Sequence, residues 1–339
     1  MLFEIIISVL IQYQMEGCFL EYRILGKTGL NVSSVGIGCW QMASDGSWGS
    51  DTNDKQSIET IHKAQEIGVN LLDTAASYGN GHSEEVIGKA IQGRRSNFII
   101  ASKVKPEVEK YDIEGARRQI IEICEASLNR LQTDYIDVYQ LHRDPTPNQT
   151  PIFMEALNFL KQQGKIRFIG SSTNNVPVLQ SLMKHGDLSV VQIGYNLINR
   201  GGESTLKFAK NNDIGTLIRM PLASGALTGK YFNIKPNLQS NDLRKSRFTS
   251  EKAESGLKRL SDLLFLTKGD KRTMIQAALK FVLDTDGVCS VIPGAKNVTQ
   301  LEENANTVNV ASLSTEERAL AMEIAGEVGS FSSLGVIQS

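Results

Sequence analysis

Four side chains in the first 142 residues have the types that acid–base chemistry needs: Asp73, Tyr78, Lys103 and His142. Three of them end apolar runs: Asp73 closes Leu71-Leu72-Asp73, Lys103 closes Ile99-Ile100-Ala101-Ser102-Lys103, and His142 follows Val138-Tyr139-Gln140-Leu141. Tyr78 follows Asp73 by five positions, inside a glycine-rich turn. A phenol has an ordinary pKa near ~10, too high for ready proton exchange at neutral pH. An ammonium beside it favours the phenolate and lowers that value, and a carboxylate beside the ammonium keeps it charged and in place. Asp73 and Lys103 would then serve Tyr78, while His142 would hydrogen-bond a substrate carbonyl oxygen and orient it next to the phenol. Each residue also has a plain structural reading. A strand-end Asp or Lys can cap a loop or reach solvent, a His can bond a neighbouring loop, and a Tyr can pack with its hydroxyl wet. Four such groups at adjacent strand ends favour the chemical reading.

The elements that must position them recur. Runs rich in Val and Ile at 35–39, 70–73, 98–103, 135–141, 166–171, 190–193, 215–219 and 289–292 read as eight buried strands, with helical periodicity between them. Ile58, Ile61, Ala64 and Ile67 fall on one helix face, as do Phe153, Ala156, Leu157 and Leu160, and Gly68 and Gly164 stand where left-handed caps end those helices. Eight βα units predict an α/β fold, a (β/α)8 TIM barrel, whose active sites lie at the C-terminal ends of the strands. Residues 21–34 read as a short hairpin, turning at Lys27-Thr28-Gly29, that closes the barrel floor. Ser83 is expected to cap the helix that Glu84 and Glu85 begin. Residues 232–270, strandless and polar with several basic side chains, read as a mobile loop over a ligand. A dinucleotide fingerprint is missing, since Gly36-Ile37-Gly38-Cys39-Trp40-Gln41 lacks the third glycine, and Gly26-Lys27-Thr28-Gly29 has Glu21 where a P-loop needs its first glycine.

Composition narrows the class. Hydrophobic residues at 41%, charged residues at 22% and a net charge of -1 describe a globular chain with no basic stripe for nucleic acid or an anionic membrane, so the expected partner is a small molecule. Cys18, Cys39, Cys124 and Cys289 lie far apart, which argues against a disulfide framework or a zinc site and predicts a cytoplasmic protein. His62, His82, His142 and His185 lack metal-ligand spacing, so no metal is expected. The apolar run 5–11 is too short to span a bilayer, and Glu4 stands where a signal peptide carries Lys or Arg. Residues 1–14 therefore read as an extension, with Met15 as an alternative start, and 15–339 as a single domain of undetermined oligomeric state.

The chain resembles the aldo-keto reductase family, NAD(P)H-dependent (β/α)8 barrel oxidoreductases. The resemblance is carried by EYRILGKTGLNVSSVGIGCW, DTAASYGNGHSEEVIGKAI, SLNRLQTDYIDVYQLHRD and CSVIPGAKNVTQLEEN, which together reach from Glu21 to Asn304. It implies a catalytic tetrad of Asp73, Tyr78, Lys103 and His142, with Tyr78 as general acid in reduction. It also implies a substrate pocket lined by Trp40, Tyr78 and His142. For the cofactor it implies contacts from Gly38, Cys39 and Asp73, from Ser172, Thr173 and Gln192 at the nicotinamide carboxamide, and from Arg219. Pro221, Leu222, Ser224, Gly225 and Lys230 would lie near the pyrophosphate, and Gly294, Lys296, Gln300, Glu303 and Asn304 at the adenosine end, where a helix start suits a phosphate.

Two departures from the family pattern matter. Thr173 replaces the usual Asn at the carboxamide. Arg219 stands where many relatives carry an aromatic; a guanidinium can also stack, but its charge disfavours the cationic oxidised nicotinamide. This residue therefore points toward reduction, and Lys296 toward NADPH, with NADH possible. The leading expectation is NADPH-dependent reduction of an aldehyde or ketone carbonyl. Alternatives are an NAD(P)+-dependent sugar or polyol dehydrogenase, and a slow-turnover regulatory subunit of a channel.

Overall fold

A computed structural model describes residues 20–49, 53–107 and 113–327. The extension 1–14, Met15, Cys18 and the tail beyond 327 lie outside the described residues. Two short strands, β1 (Tyr22–Ile24) and β2 (Asn31–Ser33), pair antiparallel through a turn whose Gly29 is left-handed at φ 68°. Eight further strands follow: β3 (Ile37–Gly38), β4 (Leu71–Asp73), β5 (Ile99–Val104), β6 (Ile136–Leu141), β7 (Ile166–Ser172), β8 (Leu188–Gly194), β9 (Gly215–Arg219) and β10 (Ser290–Val291). They pair in parallel and in chain order. Parallel bridges Val35–Val291 and Gly38–Gly294 join the two ends of the sheet and close the barrel. Every one of the eight strand segments expected from the sequence is present, with ends shifted by a residue or two.

Side chains alternate along a strand, and here the alternation sorts the barrel. Leu72, Ile100, Tyr139, Val191 and Ile218 point outward, into the core shared with the helices. Leu71, Ala101, Val138, Val190, Leu217 and Ile292 point inward and pack with Leu25, Leu30 and Val32 of the hairpin. The hairpin thus plugs the floor with apolar side chains. Gly26 approaches the start of β9 so closely that a Cβ would lie 2.3 Å from the Gly215 nitrogen.

The inter-strand helices include Asp54–Glu66, His82–Ala90, Ile113–Leu131 and Thr150–Gln162. Gly68 at φ 85° and Gly164 at φ 72° end the first and last of these as expected. The helix after β4 differs from expectation. It begins at His82 with Gly81 at its N-cap, and the Ser83 hydroxyl points inward, donating to the Cys39 carbonyl at 2.9 Å and contacting Thr74 Oγ1 at 2.9 Å. Residues 232–270 also differ from a loose loop. They contain helices Arg244–Phe248 and Glu251–Arg259 and bury Phe248, Leu257, Leu260, Leu263 and Leu266 in the outer core. Apolar burial fixes this segment on the barrel.

Candidate active site

Two residues beyond the inward apolar layer, the same alternation delivers a polar layer. Inward positions after Leu71, Ala101, Val138, Val190 and Leu217 are Asp73, Lys103, Gln140, Gln192 and Arg219. Strand register sets Lys103 beside Gln140 and Gly194 beside Arg219. The residues were separate in sequence; the barrel makes them one ring at its C-terminal end.

At the centre lies Lys103, with no solvent exposure. Its ammonium donates to Asp73 Oδ2 at 2.8 Å, to the Thr74 carbonyl at 2.8 Å and to the Tyr78 hydroxyl at 3.2 Å. The other Asp73 oxygen accepts from Gln192 Nε2 at 2.7 Å. Both carboxylate oxygens therefore have donors; burial raises the Asp73 carboxyl above its ordinary 3.8, and the Lys103 ammonium and the Gln192 amide oppose that rise. Burial alone would discharge Lys103, but the Asp73 carboxylate and the Tyr78 phenol outweigh it and hold the ammonium above its ordinary 10.5.

Tyr78 is carried by a tight turn in which Gly79, Asn80 and Gly81 are all left-handed. A Cβ on Gly79 would lie 2.4 Å from the Ala43 carbonyl oxygen, so the turn packs on the loop after β3 in a way only glycine allows. That packing stacks Tyr78 on Trp40, with centroids 5.3 Å apart and an interplanar angle of 9°. His142 meets the phenol edge-on at 5.6 Å. The direction of the Tyr78 shift departs from expectation. Burial pushes the phenol up; Lys103 pulls it down, and burial wins. His142 is pushed down to about 3, chiefly by burial and then by Lys103, Arg219 and Lys105, so its imidazole is neutral. Its Nδ1 contacts Ser77 Oγ at 3.3 Å. A hydroxyl donating there leaves Nε2 as the ring's N–H donor.

Tyr78, His142 and Trp40 open into a cavity of about 960 Å³. The aldo/keto reductase family profile matches residues 34–325 of the chain. The chain belongs to the aldo/keto reductase family. It is 36% identical over 294 residues to the aldo-keto reductase YhdN of Bacillus subtilis, covering 84% of this chain and 87% of the relative. Its fold is similar to the holo form of aldo-keto reductase AKR11C1 from Bacillus halodurans, with a TM-score of 0.74 and 28% identity over 90% of this chain and 96% of that one. An aldo-keto reductase from Klebsiella pneumoniae in complex with NADPH matches at a TM-score of 0.69 and 26% identity, covering 90% of this chain and 95% of that one.

The cavity continues from Asp73, Tyr78 and His142 past the ends of β7 to β10. Gly38, Ser172, Thr173, Gln192, Arg219, Pro221, Leu222, Ser224, Gly225, Lys230, Gly294, Lys296, Gln300, Glu303 and Asn304 all line it. Cys39 does not, which corrects its sequence assignment: its side chain is fully buried, its thiol points to the Ile37 carbonyl, and burial raises its pKa above the ordinary range. Thr173 Oγ1 accepts from the Asn175 nitrogen at 2.9 Å and so holds its own turn. Gln300 accepts from the Lys296 nitrogen at 2.9 Å, while Lys296 Nζ donates to the Trp48 carbonyl.

The clasp made by that last contact was not foreseen. Trp48 packs edge-on against Trp40 at 5.2 Å, and Arg244 lies over the Trp48 ring at 5.7 Å while paired with Asp242. The Leu243 nitrogen donates to the Ser47 carbonyl at 3.0 Å. Loops after β3 and β9 are thereby tied together across the mouth. Arg247, also lining the cavity, donates to Ser224 Oγ at 3.3 Å. Among the described residues six basic side chains (Arg143, Arg219, Lys230, Arg244, Arg247 and Lys296) line the cavity against three acidic ones (Asp73, Asp144 and Glu303). The excess of cations, with the left-handed turn at Ala223, Ser224 and Gly225, suits a ligand carrying several phosphates.

Proposed function

We propose that this protein reduces the carbonyl of a small aldehyde or ketone at the expense of NADPH, with Tyr78 as the proton donor. The observation that carries this reading is the Tyr78 hydroxyl 3.2 Å from a fully buried ammonium that is itself 2.8 Å from Asp73, at the inner end of a cation-rich cavity. The cavity residues fit a nicotinamide dinucleotide: Ser172, Thr173 and Gln192 would meet the carboxamide, Ser224, Gly225, Lys230 and Arg247 the phosphates, and Lys296, Gln300 and Asn304 the adenosine end. When bound, the reduced nicotinamide supplies a hydride.

The chain's own residues manage the proton. Neutral His142 donates a hydrogen bond to the carbonyl oxygen and holds it beside the phenol. Because burial keeps the Tyr78 pKa high, the hydroxyl retains its proton until negative charge develops on that oxygen. Tyr78 then gives up its proton, and the Lys103 ammonium stabilises the phenolate that remains. Asp73 keeps the ammonium charged and pointed at the phenol.

Steady-state loss of reduced-cofactor absorbance with a panel of aldehydes tests the reading. Tyr78→Phe should lower kcat/KM by about 10²–10⁴-fold, the usual worth of a positioned proton donor, with NADPH affinity retained. Wild-type turnover surviving intact in Tyr78→Phe would remove the assigned proton source.

A further inference from the structure

Gln140 and Arg219 are the members of the polar ring that the mechanism above does not use, and only Arg219 carries a charge. Its guanidinium lies against Gly194, where a Cβ would sit 3.2 Å from Cζ. Its Nε is buried without a hydrogen-bond partner, and its side chain's one hydrogen-bond contact is Nη1 to the Met220 thioether at 3.5 Å. The neighbouring cations are provided for. Lys103 has Asp73, Arg244 has Asp242, and Lys296 has the Trp48 carbonyl. Among the described residues no carboxylate lies within ion-pair distance of Arg219, although Asp144 stands near enough to act on it through space.

A half-buried guanidinium in a cavity wall, its Nε unpartnered and no carboxylate paired with it, has donors to spare, and a planar fork of donors is best satisfied by a carboxylate or phosphate. Its place decides which molecule brings that anion. Arg219 belongs to the same inward ring as Asp73 and Gln192, and its charge reaches both Tyr78 and His142. A reduced nicotinamide is neutral. The anion at the reacting end therefore comes with the substrate.

We propose that Arg219 is a specificity residue that receives an anionic group, a carboxylate or a phosphate, carried by the carbonyl substrate a short distance from its reacting carbon. This rests on the carbonyl-reductase reading for its kinetic consequence, but the anion site itself is independent of turnover. Gly194 is part of the device: the bare backbone leaves the shelf on which the guanidinium rests.

Two measurements test it. Trp40 and Trp48 are the two tryptophans of the chain and both line the cavity, so intrinsic fluorescence reports on it. Titration with inorganic phosphate and with acetate, against potassium chloride at matched ionic strength, should give a saturable change. Affinity for at least one anion should fall about tenfold or more in Arg219→Met. In parallel, kcat/KM is compared for glyceraldehyde 3-phosphate against glyceraldehyde and for succinic semialdehyde against butanal. The wild type should favour the charged member of one pair by about tenfold or more, which identifies the anion as phosphate or carboxylate. Arg219→Met should erase that preference through KM, the loss with the charged member exceeding the loss with the neutral member by about tenfold or more. Gly194→Ala, which keeps the charge but displaces it, should weaken the same preference and serves if Arg219→Met does not fold. The proposal is overturned if the wild type shows no anion-specific titration, or if Arg219→Met depresses charged and neutral substrates alike together with NADPH binding. Absence of turnover with every pair, with the titration still separating wild type from Arg219→Met, sinks the reductase reading and leaves the anion site standing.

Discussion

Replacing Asp73 by Asn keeps the shape of the side chain and removes its charge, so it isolates what the buried ion pair does for the fold. Lys103 is fully buried and Asp73 is 3% exposed. At the observed 2.8 Å, and with an effective dielectric of about 20, the direct attraction is about 6 kcal/mol. Part of that is offset by desolvation, and removing one partner of a buried pair typically costs about 3–5 kcal/mol. The Thr74 carbonyl remains as an acceptor for the ammonium, which favours the lower half of that range. The sign with pH is distinctive. In the wild type Lys103 titrates above 10.5, so at neutral pH its contribution is present, and on the alkaline side it is lost only as pH rises through that raised value. Without Asp73 burial dominates and the lysine titrates below its unfolded value, so the unfolded chain binds the extra proton. The deficit of Asp73→Asn should then shrink as pH rises, by up to about 1.4 kcal/mol per pH unit. Urea unfolding followed by far-ultraviolet circular dichroism, at about pH 7 and about pH 9.5, measures this. A deficit under about 1 kcal/mol at neutral pH, or one that is equal at both, would refute the role assigned to the pair.

His142 is neutral down to about 3, so kcat/KM should show no ionisation near 6.5; the pH–rate profile from about pH 5 to pH 8, compared with that of His142→Gln, checks it. Below about 6.5 the unfolded chain gains a proton on this histidine that the folded one refuses, so this residue costs stability as the medium becomes acidic. Lys296→Ala removes a cation from the far end of the cavity and its tie to Trp48. Its kcat/KM should fall with NADPH by about tenfold and stay nearly constant with NADH, because a lysine is needed only where the extra phosphate sits; equal losses with both cofactors would make it a structural tie alone.

What the sequence disclosed about this site followed from local regularity. Strand ends suffice to place Asp73 and Lys103 at the opening, because a parallel barrel fixes which end of each strand faces it, whereas Gln192 and Arg219 were legible only through the family resemblance. Glycines at 68 and 164 read as helix stops because a left-handed φ has a recognisable residue preference. The misreadings share a cause. Ser83 looked like a cap because Glu follows it, yet its hydroxyl is claimed by Cys39, 44 residues away. Arg244 reaches the Trp48 carbonyl across 196 positions, and no periodicity within either loop encodes that contact. Cys39 adjoins a motif that lines the cavity but points to the wrong side of the strand end. For Tyr78 the partner was right and the balance was wrong, since the sequence shows the ammonium and cannot show how thoroughly water is kept away.

The barrel's seam is short. β3 and β10 contribute two residues each, and the join is made by hydrogen bonds from the Gly36 nitrogen to Val291, from Val291 to Ser34 and from the Gly38 nitrogen to Pro293. These link the earliest barrel strand to the last, more than 250 positions apart in the chain. Until β10 is in place, β3 is an uncovered sheet edge with free backbone donors, open to any passing strand. Closure of the ring is thus the step with the largest loop to gather, and during synthesis it must wait for the C-terminal part of the protein to leave the ribosome.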